Sequence, residues 1–385
     1  MINSKTEALK ITMPIGIIAE LNPFHSGHES LLRFANNLPD SDGIILILSS
    51  DFTQRGSPSL TDKFTRAYTA LMGGADVVIE LPFMYACSSG ENFAEGVCGI
   101  LGRLGCVSRL VFGMEDFTFN VHGLAEAMTG KAFGEALRHE MSMGASYAKA
   151  CSISAERVFP GSGKFLARPN NTLALSYIMS IKRNGYNIEA VPVKREGSVS
   201  SRMIRENPEK YSDFMPDYSR EALMKSLSEG KISAEEKLWP LLQGLFLRSK
   251  AEDLRKIYGI DEGIEGLFLK HWRNAEGLDD FIGRCVCARY TRAHIRRCLI
   301  YMLTGLERDE AVRALKGGVP YARVLGFNER GRKILRDCRK TSGIPVITSL
   351  KYAEGADGKF FARTEQKASQ LYELTLNHND ILCKV

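Results

Sequence analysis

The chain has 385 residues, which is long for one typical domain and suits two. Apolar residues make up 44% of the sequence and charged residues 25%, so the composition excludes a disordered or fibrous protein. No apolar run approaches the roughly 18 residues that span a bilayer. The first residues also lack the basic-then-apolar order of a secretory signal. We therefore expect a cytoplasmic protein without a membrane segment, and nothing in the sequence implies a protein partner.

The positive charge is concentrated in one block. The net charge is +6, but residues 281–340 contain 15 Lys or Arg and 5 Asp or Glu, a local charge of +10. The rest of the chain therefore carries −4. Such a block predicts the surface where a polyanion binds.

The nine cysteines predict buried free thiols. None forms a C-x-x-C pair, their number is odd, and several lie in apolar stretches. We expect neither a zinc site nor a disulfide framework.

The first half alternates short apolar strands with helical segments. Nearly continuous Val- and Ile-rich runs predict strands over 14–20, 43–49, 76–80, 109–113 and 188–194. Glycine-terminated amphipathic segments predict helices over 62–74 and 90–105. This alternation predicts an α/β fold with a Rossmann-like, doubly wound parallel sheet. Ligands of such sheets bind beyond the carboxyl ends of the strands, at the switch point.

The pattern changes after residue 206. Residues 206–219 are polar and include two prolines, and the segments beyond them have helical character. We therefore predict an α/β domain over residues 1–206 and an α-helical domain over 207–385.

Two histidines follow the first predicted strand. In "ELNPFHSGHESLL", residues 20–32, His25 and His28 stand at a strand-to-helix turn that contains Gly27. A helix N-terminus favours anions, and two imidazoles there can donate hydrogen bonds to phosphoryl oxygens as charge develops on phosphorus. A lone H-x-x-H is more often a pair of structural histidines. The strand before it, the helix after it and the glycine in the turn favour a phosphate site.

These residues support a family resemblance. H-x-G-H after the first strand resembles the signature of the nucleotidylyltransferase superfamily, whose members bind ATP there and direct attack at its α-phosphate. The stretch "SVSSRMIRE" resembles that fold's second phosphate element, with Ser200, Ser201, Ile204 and Arg205 matching. Further stretches between residues 19 and 335 resemble the tRNA(Met) cytidine acetate ligase family: "AELNPFHSGH", "DFTQRGSPSLTDKFTRA", "GADVVIELPF", "LVFGMED", "RPNNTLALSYI", "RYTRAHIRR" and "YARVLGFNERGRKIL".

The resemblance implies a reaction and a set of site residues. Members of that family use ATP and acetate to form acetyl-adenylate, and then acetylate the exocyclic amine of the wobble cytidine in elongator tRNA(Met). We therefore expect ATP and Mg²⁺ as cofactors, with metal ligands that the sequence does not identify. The catalytic residues implied are His25 and His28. The ATP-binding residues implied are Ile18, Ala19, Glu20, Asn22, Pro23, Phe24, Gly27, Gly113, Asn170, Arg195, Ser200, Ser201 and Arg205.

Three of these residues also have ordinary structural interpretations. Gly113 can end a strand where a side chain would meet a base or ribose, Asn170 can read a base or ribose edge, and Arg195 can bind phosphate. Without the resemblance they would be a turn glycine, a helix cap and a surface arginine.

One pair departs from the family pattern. Ser50 and Asp51 stand where the family usually has Gly-Asn. We expect the Asp51 carboxylate to pair with Arg55, Lys63 or Arg66, which lie within the same short region.

Two arginine-rich clusters predict RNA binding. The spacing of Arg289, Arg292 and Arg296 places them along one side of a predicted helix. A second cluster lies between residues 330 and 340. Both clusters would bind RNA phosphates rather than recognise bases. The alternative interpretation of each cluster is a solvent-exposed helix face that binds no RNA. The residues expected to bind tRNA are Arg289, Arg292, Arg296, Arg297, Arg330 and Lys333.

Two other functions remain open at this point. One is an adenylyltransferase or acid–AMP ligase of the same fold that acts on a different substrate. The other is a catalytically weakened RNA-binding paralogue. Pyrophosphate release that ignores RNA favours the first, and tight tRNA binding without pyrophosphate release favours the second.

Overall fold

The computed structural model describes residues 12–145, 147–195 and 199–377. Its strands are Met13–Ala19 (β1), Ser41–Ser49 (β2), Val77–Leu81 (β3), Arg109–Met114 (β4), Glu189–Lys194 (β5), Ala322–Phe327 (β6) and Val346–Ile347 (β7). In the described residues they form one sheet in the order β5-β4-β1-β2-β3-β6-β7. β1 to β5 run parallel, and all five predicted strands are confirmed with ends that shift by at most two residues.

The helices between and after these strands account for most of the chain. They are Ser26–Asn36 (α1), Lys63–Met72 (α2), Phe83–Ala86 (α3), Gly90–Leu104 (α4), Val121–Thr129 (α5), Lys131–Ser142 (α6), Tyr147–Val158 (α7), Ser162–Leu166 (α8), Pro169–Asn184 (α9), Ser201–Glu206 (α10), Asp217–Ser228 (α11), Leu238–Arg248 (α12), Ala251–Arg255 (α13), Ile264–His271 (α14), Leu278–Cys285 (α15), Arg292–Thr304 (α16), Arg308–Gly317 (α17), Glu329–Thr341 (α18) and Gly355–Glu373 (α19). None of the described helices is long and apolar enough to cross a membrane.

Local signals explain the two helices predicted from sequence. The Asp62 side chain accepts hydrogen bonds from the backbone N–H groups of Phe64 and Thr65 and so caps α2. Ser89 caps α4 in the same way, and Gly105 ends it in the left-handed conformation with φ 66°. Both predicted helices are confirmed.

The sheet is buried on both faces, as its nearly continuous apolar strands require. Ile15, Ile17 and Leu46 pack with α1 and α2 on one face. Ile45 and Ile79 belong to the buried cluster of the other face, which also includes residues of α4 and α9. The parallel strands therefore have their carboxyl ends together at one edge, which we call the carboxyl edge. The opposite edge is the amino edge.

The second half is mostly helical, as predicted, but it also contains the short strands β6 and β7, which the sequence did not reveal. β6 pairs antiparallel with β3, so that Glu80 lies opposite Arg323 and Val77 opposite Phe327. A single short apolar run among helices carries no signal for the sheet that it joins, because its partner strand is more than 200 residues away.

The core of the sheet continues into the helical half. One buried cluster includes Ile45 and Ile79 of the sheet together with Phe268, Phe281 and Ile295 of the later helices. The long α19 also packs against α3 and α16. The division at residue 206 stays a prediction about domains, and the packing across it is extensive.

The cysteine prediction is partly wrong. Cys106 and Cys338 form a disulfide, although 232 residues separate them. They meet because the end of α18 packs on the end of α4, where Thr341 Oγ donates to the Leu104 carbonyl at 2.8 Å. The prediction of buried free thiols is confirmed for Cys87, Cys98, Cys285 and Cys298; Cys151 is half-buried and Cys287 exposed. Cys383 lies outside the described residues.

Candidate functional site

The candidate site lies at the switch point of the sheet. The connection from β1 leads to β2 on one side, while β4 flanks β1 on the other side. The loops after β1 and β4 therefore border one crevice at the carboxyl edge. His25 ends the first of these loops and His28 stands in the first turn of α1, so both lie at the strand-to-helix turn, as predicted.

The β1–α1 loop is held from several sides. Leu21 adopts φ 48°, a conformation that costs a non-glycine residue energy and that surrounding contacts must maintain. The Asn22 side chain accepts a hydrogen bond from the Leu60 backbone at 2.7 Å. Phe24 is buried beneath the loop, and a Cβ on Gly73 would lie only 2.5 Å from its ring. The loop thus has one well-determined shape.

The two histidines cap the helix that follows them. His25 is the N-cap of α1, and its Nδ1 accepts from the Gly27 backbone at 3.0 Å. His28 Nδ1 accepts from the His25 backbone at 3.2 Å, which completes a reciprocal capping box. The two imidazole centroids lie 4.0 Å apart. Both histidines therefore have a structural role as helix caps. That role fixes the orientation of each ring and hence the position of its Nε2.

Both imidazoles are neutral at pH 7. Burial, with a smaller effect of Arg195, lowers the pKa of His25 to about 4. Burial also lowers the pKa of His28 well below its usual value, assisted by His25 and Arg195. Because each Nδ1 accepts a backbone N–H, the ring proton lies on Nε2. The Nε2 of His25 is buried and has no hydrogen-bond partner among the described residues, so an incoming oxygen would satisfy it.

We expect neither histidine of the folded protein to titrate near pH 6.5. Imidazole ¹H–¹⁵N NMR should show the Nε2-protonated tautomer of His25 down to about pH 5. Because the folded pKa lies below the unfolded value, the stability linked to His25 is complete above about pH 6.5 and is lost as the pH falls toward 4. A folded-state titration near pH 6.5 would contradict the burial and the capping geometry.

The predicted second phosphate element lies against the histidine loop. Ser200 caps α10, and Ser201 Oγ donates to the Pro23 carbonyl at 3.2 Å. Arg205 Nη1 donates to the Asn22 carbonyl at 2.5 Å. The two motifs are thus brought together, as the resemblance implied. In this structure Ser201 and Arg205 bind the loop itself, so they fix its position beside any phosphate group.

Gly113 and Arg195 border the crevice on the β4 side. An added Cβ on Gly113 would meet only the Cβ of Arg195, at 4.0 Å, so packing does not require glycine here. The open space above it suits a ligand that approaches the backbone closely. Arg195 directly follows β5, and its backbone donates to the Met114 carbonyl at 3.1 Å.

Asn170 belongs to a cluster that the sequence did not reveal. Its Nδ2 donates to Glu115 Oε1 at 2.7 Å, and the other Glu115 oxygen accepts from the Asn171 backbone at 3.0 Å. The Asn171 side chain in turn accepts from the backbone of Glu115 at 2.9 Å. Asn170 is therefore not a helix cap. Its side-chain oxygen is not used in the bond to Glu115, the residue that directly follows β4.

The remaining predicted residues form the end of β1 and its loop. Ile18 and Ala19 end β1, and Gly27 lies in the first turn of α1. Glu20 Oε1 accepts a hydrogen bond from the Gln54 backbone at 2.8 Å. Glu20 therefore connects the loop after β1 to the loop after β2.

Arg66 has a role that the sequence did not predict, since it was expected only as a possible partner of Asp51. It is 1% exposed, and its guanidinium donates to the carbonyls of Glu20, Ser49, Ser50 and Thr61 at 2.7–3.2 Å. It therefore holds the carboxyl ends of β1 and β2 together. The only signal in the sequence was its place within the family stretch "DFTQRGSPSLTDKFTRA".

Asp51 is buried rather than at the rim of the site. Its Oδ2 lies 3.2 Å from Lys63 Nζ and accepts a hydrogen bond from Ser369 Oγ at 2.7 Å. The expected pairing with a nearby cation is confirmed for Lys63. The same Nζ lies 2.7 Å from Glu80 and 2.8 Å from Glu365, so four charged groups share one buried cluster.

The first basic cluster is less free than its charge suggests. α16 begins at Arg292, so the expectation that Arg289 lies on this helix is wrong; Thr291 caps the helix after it. Arg289 pairs with Glu262, and Arg292 pairs with Asp279. Arg296 pairs with both Glu235 and Asp279. Arg297 instead donates to the Gln54 carbonyl at 3.1 Å.

The second basic cluster lies at the amino edge. Arg330 Nη2 donates to the Ser41 carbonyl at 3.3 Å, and Lys333 Nζ lies 3.9 Å from Asp42. Both partners stand at the start of β2, the end of the strand that faces away from the histidines. The two predicted RNA-binding clusters therefore lie near opposite edges of the sheet.

The described residues contain no group of three His, Cys, Asp or Glu side chains arranged to hold a metal ion. Any Mg²⁺ at this site would depend on oxygens of the nucleotide and on water for most of its ligands.

The chain resembles known proteins over nearly its whole length. A family profile described as HIGH Nucleotidyl Transferase matches residues 13–382. A Fervidobacterium nodosum protein named tRNA(Met) cytidine acetate ligase is 32% identical over 87% of this chain and 83% of its own. A Thermoanaerobacter sp. (strain X514) protein of the same name is 32% identical over 95% and 96%.

Solved structures agree with these matches. Crystal structures of Thermotoga maritima TmcAL, one apo and one bound with alpha-thio ATP, have TM-scores of 0.89 and 0.87 to this chain. Their sequence identities are 29% and 28%, and each match covers 95% of both chains. Together with the paired histidines at the switch point, these matches show that the chain belongs to the tRNA(Met) cytidine acetate ligases of the HIGH nucleotidyl transferase family.

Proposed function

We propose that this ligase uses ATP and acetate to acetylate the exocyclic amine of the wobble cytidine in elongator tRNA(Met), in the cytoplasm. The observation that carries the proposal is the pair of neutral imidazoles at the start of α1, one with an unpartnered buried Nε2–H. Neutral donors beside a helix N-terminus stabilise charge that grows on a phosphoryl group and need no proton uptake.

The first step forms acetyl-adenylate. A carboxylate oxygen of acetate bonds to the α-phosphorus of ATP while the bond to the bridging oxygen breaks, and pyrophosphate leaves. We assign His25 and His28 as donors to the phosphoryl oxygens, and Arg195 as a permanent cation beside them. Gly113 gives the nucleotide close access to the backbone, and Asn170 offers it an amide edge.

The second step transfers the acetyl group. The cytidine amine attacks the acetyl carbonyl, the carbon–oxygen bond to AMP breaks, and the amine proton passes to solvent. No cysteine or serine nucleophile is required, because the adenylate is already activated. We further propose that ATP enters with Mg²⁺ held by its own phosphates and water, since the described residues offer no ready-made cluster of ligands.

Transfer of labelled acetate to tRNA tests the proposal directly. The protein is incubated with ATP, labelled acetate and tRNA, and the nucleosides are analysed by mass spectrometry. The expected product is acetylated cytidine at the wobble position of elongator tRNA(Met). Pyrophosphate release with a different acid and without RNA would favour the acid–AMP ligase instead. Tight tRNA binding without pyrophosphate release would favour a weakened RNA-binding paralogue.

The opposite positions of the basic clusters allow a test of which edge holds tRNA. We expect the double variant Arg292→Gln with Arg296→Gln to reduce the magnitude of the salt slope of tRNA binding by about 0.7–0.9 for each phosphate that it no longer neutralises. The affinity for ATP should stay within about twofold of the wild-type value, because neither residue contacts the histidine loop. The measurement is tRNA affinity at several salt concentrations.

The amino-edge double variant Arg330→Gln with Lys333→Gln is the matched comparison. If only this variant changes the slope, tRNA binds along the amino edge, and the assignment of Arg292 and Arg296 is wrong.

A further inference from the structure

Arg297 differs from the other arginines of its cluster. Arg292 and Arg296 pair with carboxylates at the outer side of α16. Arg297 is half-buried, and among the described residues it has no carboxylate within ion-pair distance. The one hydrogen bond that its guanidinium makes there goes to the Gln54 carbonyl, at 3.1 Å. Its charge is thus largely uncompensated at a position that solvent reaches only in part.

The loop after β2 brings this arginine to the carboxyl edge. Gly56 has φ 84° and packs so tightly on α16 that a Cβ there would lie 2.6 Å from the Arg297 backbone nitrogen. A larger residue at position 56 would push the helix away. The helix and the loop therefore form a fixed unit that holds Arg297 beside Gln54.

Gln54 connects this unit to the candidate site. Its backbone donates to Glu20 at the end of β1, at 2.8 Å, and its side chain donates to the Ser88 carbonyl beyond β3, at 3.0 Å. Arg297 therefore stands on the β2 and β3 side of the crevice. Of the cations that the site offers to phosphates, Arg195 follows β5 on the opposite side, while Arg205 binds the Asn22 carbonyl of the β1–α1 loop.

We propose that Arg297 binds the carboxylate of the acid substrate during adenylate formation. This inference rests on the proposed function and places its acid-binding site. Acetate and ATP are both anions, so the acid needs a cation that the phosphates do not occupy. A guanidinium matches a carboxylate with two parallel hydrogen bonds, and it remains charged in a partly buried site.

Acetate-dependent exchange of labelled pyrophosphate into ATP, measured without RNA, tests the inference. Arg297→Gln should raise the KM for acetate about 10²-fold, the cost of removing a charge-assisted bidentate pair of hydrogen bonds, while the KM for ATP stays within about twofold. Arg297→Lys keeps the positive charge but not the paired N–H donors of the guanidinium. Its KM for acetate should therefore lie between the wild-type value and that of Arg297→Gln. A purely structural role would not separate the two KM values.

Two arginine variants serve as controls. Arg103→Gln removes another guanidinium that binds backbone carbonyls, those of Gly317 and Val319, at the amino edge, and should leave both KM values unchanged. Arg55→Gln removes the exposed charge beside Gly56. If Arg55→Gln rather than Arg297→Gln raises the KM for acetate, the assignment is wrong.

The outcomes also separate this inference from the function on which it rests. If the wild-type protein shows acetate-dependent exchange and Arg297→Gln keeps its KM for acetate, this inference alone is overturned. A weaker tRNA affinity in that variant would then assign Arg297 to RNA phosphate. If the wild-type protein shows no acetate-dependent exchange, the proposed function is overturned, and this inference with it.

Discussion

Replacing His25 with asparagine should lower the rate of adenylate formation by about 10²-fold or more, the usual cost of removing one donor to a transition state. Asparagine is chosen because its side-chain oxygen can take over the capping role of Nδ1, and asparagine is a preferred N-cap residue. Only the Nε2 donor is then lost. The measurement is acetate-dependent pyrophosphate exchange at saturating ATP, together with thermal unfolding. His28→Asn should behave in the same way.

Alanine at position 25 provides the matched comparison. It removes both the donor and the cap, so it should match the asparagine variant in rate and lose about 1 kcal/mol more stability. If asparagine restores both stability and rate, the histidine serves only as a cap. In that case, the assignment of His25 as a phosphoryl donor is wrong.

Replacing Lys63 with methionine should cause the largest loss of stability, about 3–5 kcal/mol, because Asp51 and Glu365 lose their cation while buried and Glu80 keeps only Arg323. The Nζ lies within 3.2 Å of oxygens of Asp51, Glu80 and Glu365, and all four side chains are nearly inaccessible to solvent. Urea denaturation at pH 8 measures the loss. Burial, followed by the charge of Glu365, raises the pKa of Glu80 to about 7. Lys63 opposes this rise and also lowers the pKa of Glu365, so its removal raises both pKa values, and the loss should shrink as the pH falls from 8 and the carboxylates become protonated.

Lys231→Met is the control for Lys63. Lys231 also forms an ion pair, with Glu229 at 2.7 Å, but its side chain is exposed, so its removal should not change stability measurably. A loss below about 1 kcal/mol for Lys63→Met would mean that the carboxylates already share protons in the wild-type protein.

Local patterns revealed the sheet and the histidine site. Continuous apolar runs identify β1 to β5, because parallel strands are buried on both faces and each strand's own residues must therefore be apolar. The turn at His25, with Gly27 and a following amphipathic helix, likewise carries its own signal. The contacts between these motifs, such as Ser201 with Pro23, followed from the resemblance rather than from the residues alone.

Features that depend on distant partners were hidden. Arg323 looks like one more basic residue of a positive block. In the fold it stands on β6 opposite Glu80 of the neighbouring β3, with its Nη1 2.9 Å from the Glu80 carboxylate. Cys106 and Cys338 look like separate apolar thiols until α18 is placed against α4. Arg292 and Arg296 look free for RNA until α15 brings Asp279 beside them. Composition and spacing contain none of these pairings, because each is made by the tertiary fold.

The attachment of β6 and α19 to the first half has a consequence for synthesis. β3 keeps an unpaired edge until residues 322–327 leave the ribosome, and the Lys63 cluster lacks a carboxylate until Glu365 does. An emerging chain therefore exposes an apolar strand edge through most of translation, and such an edge favours association with other chains.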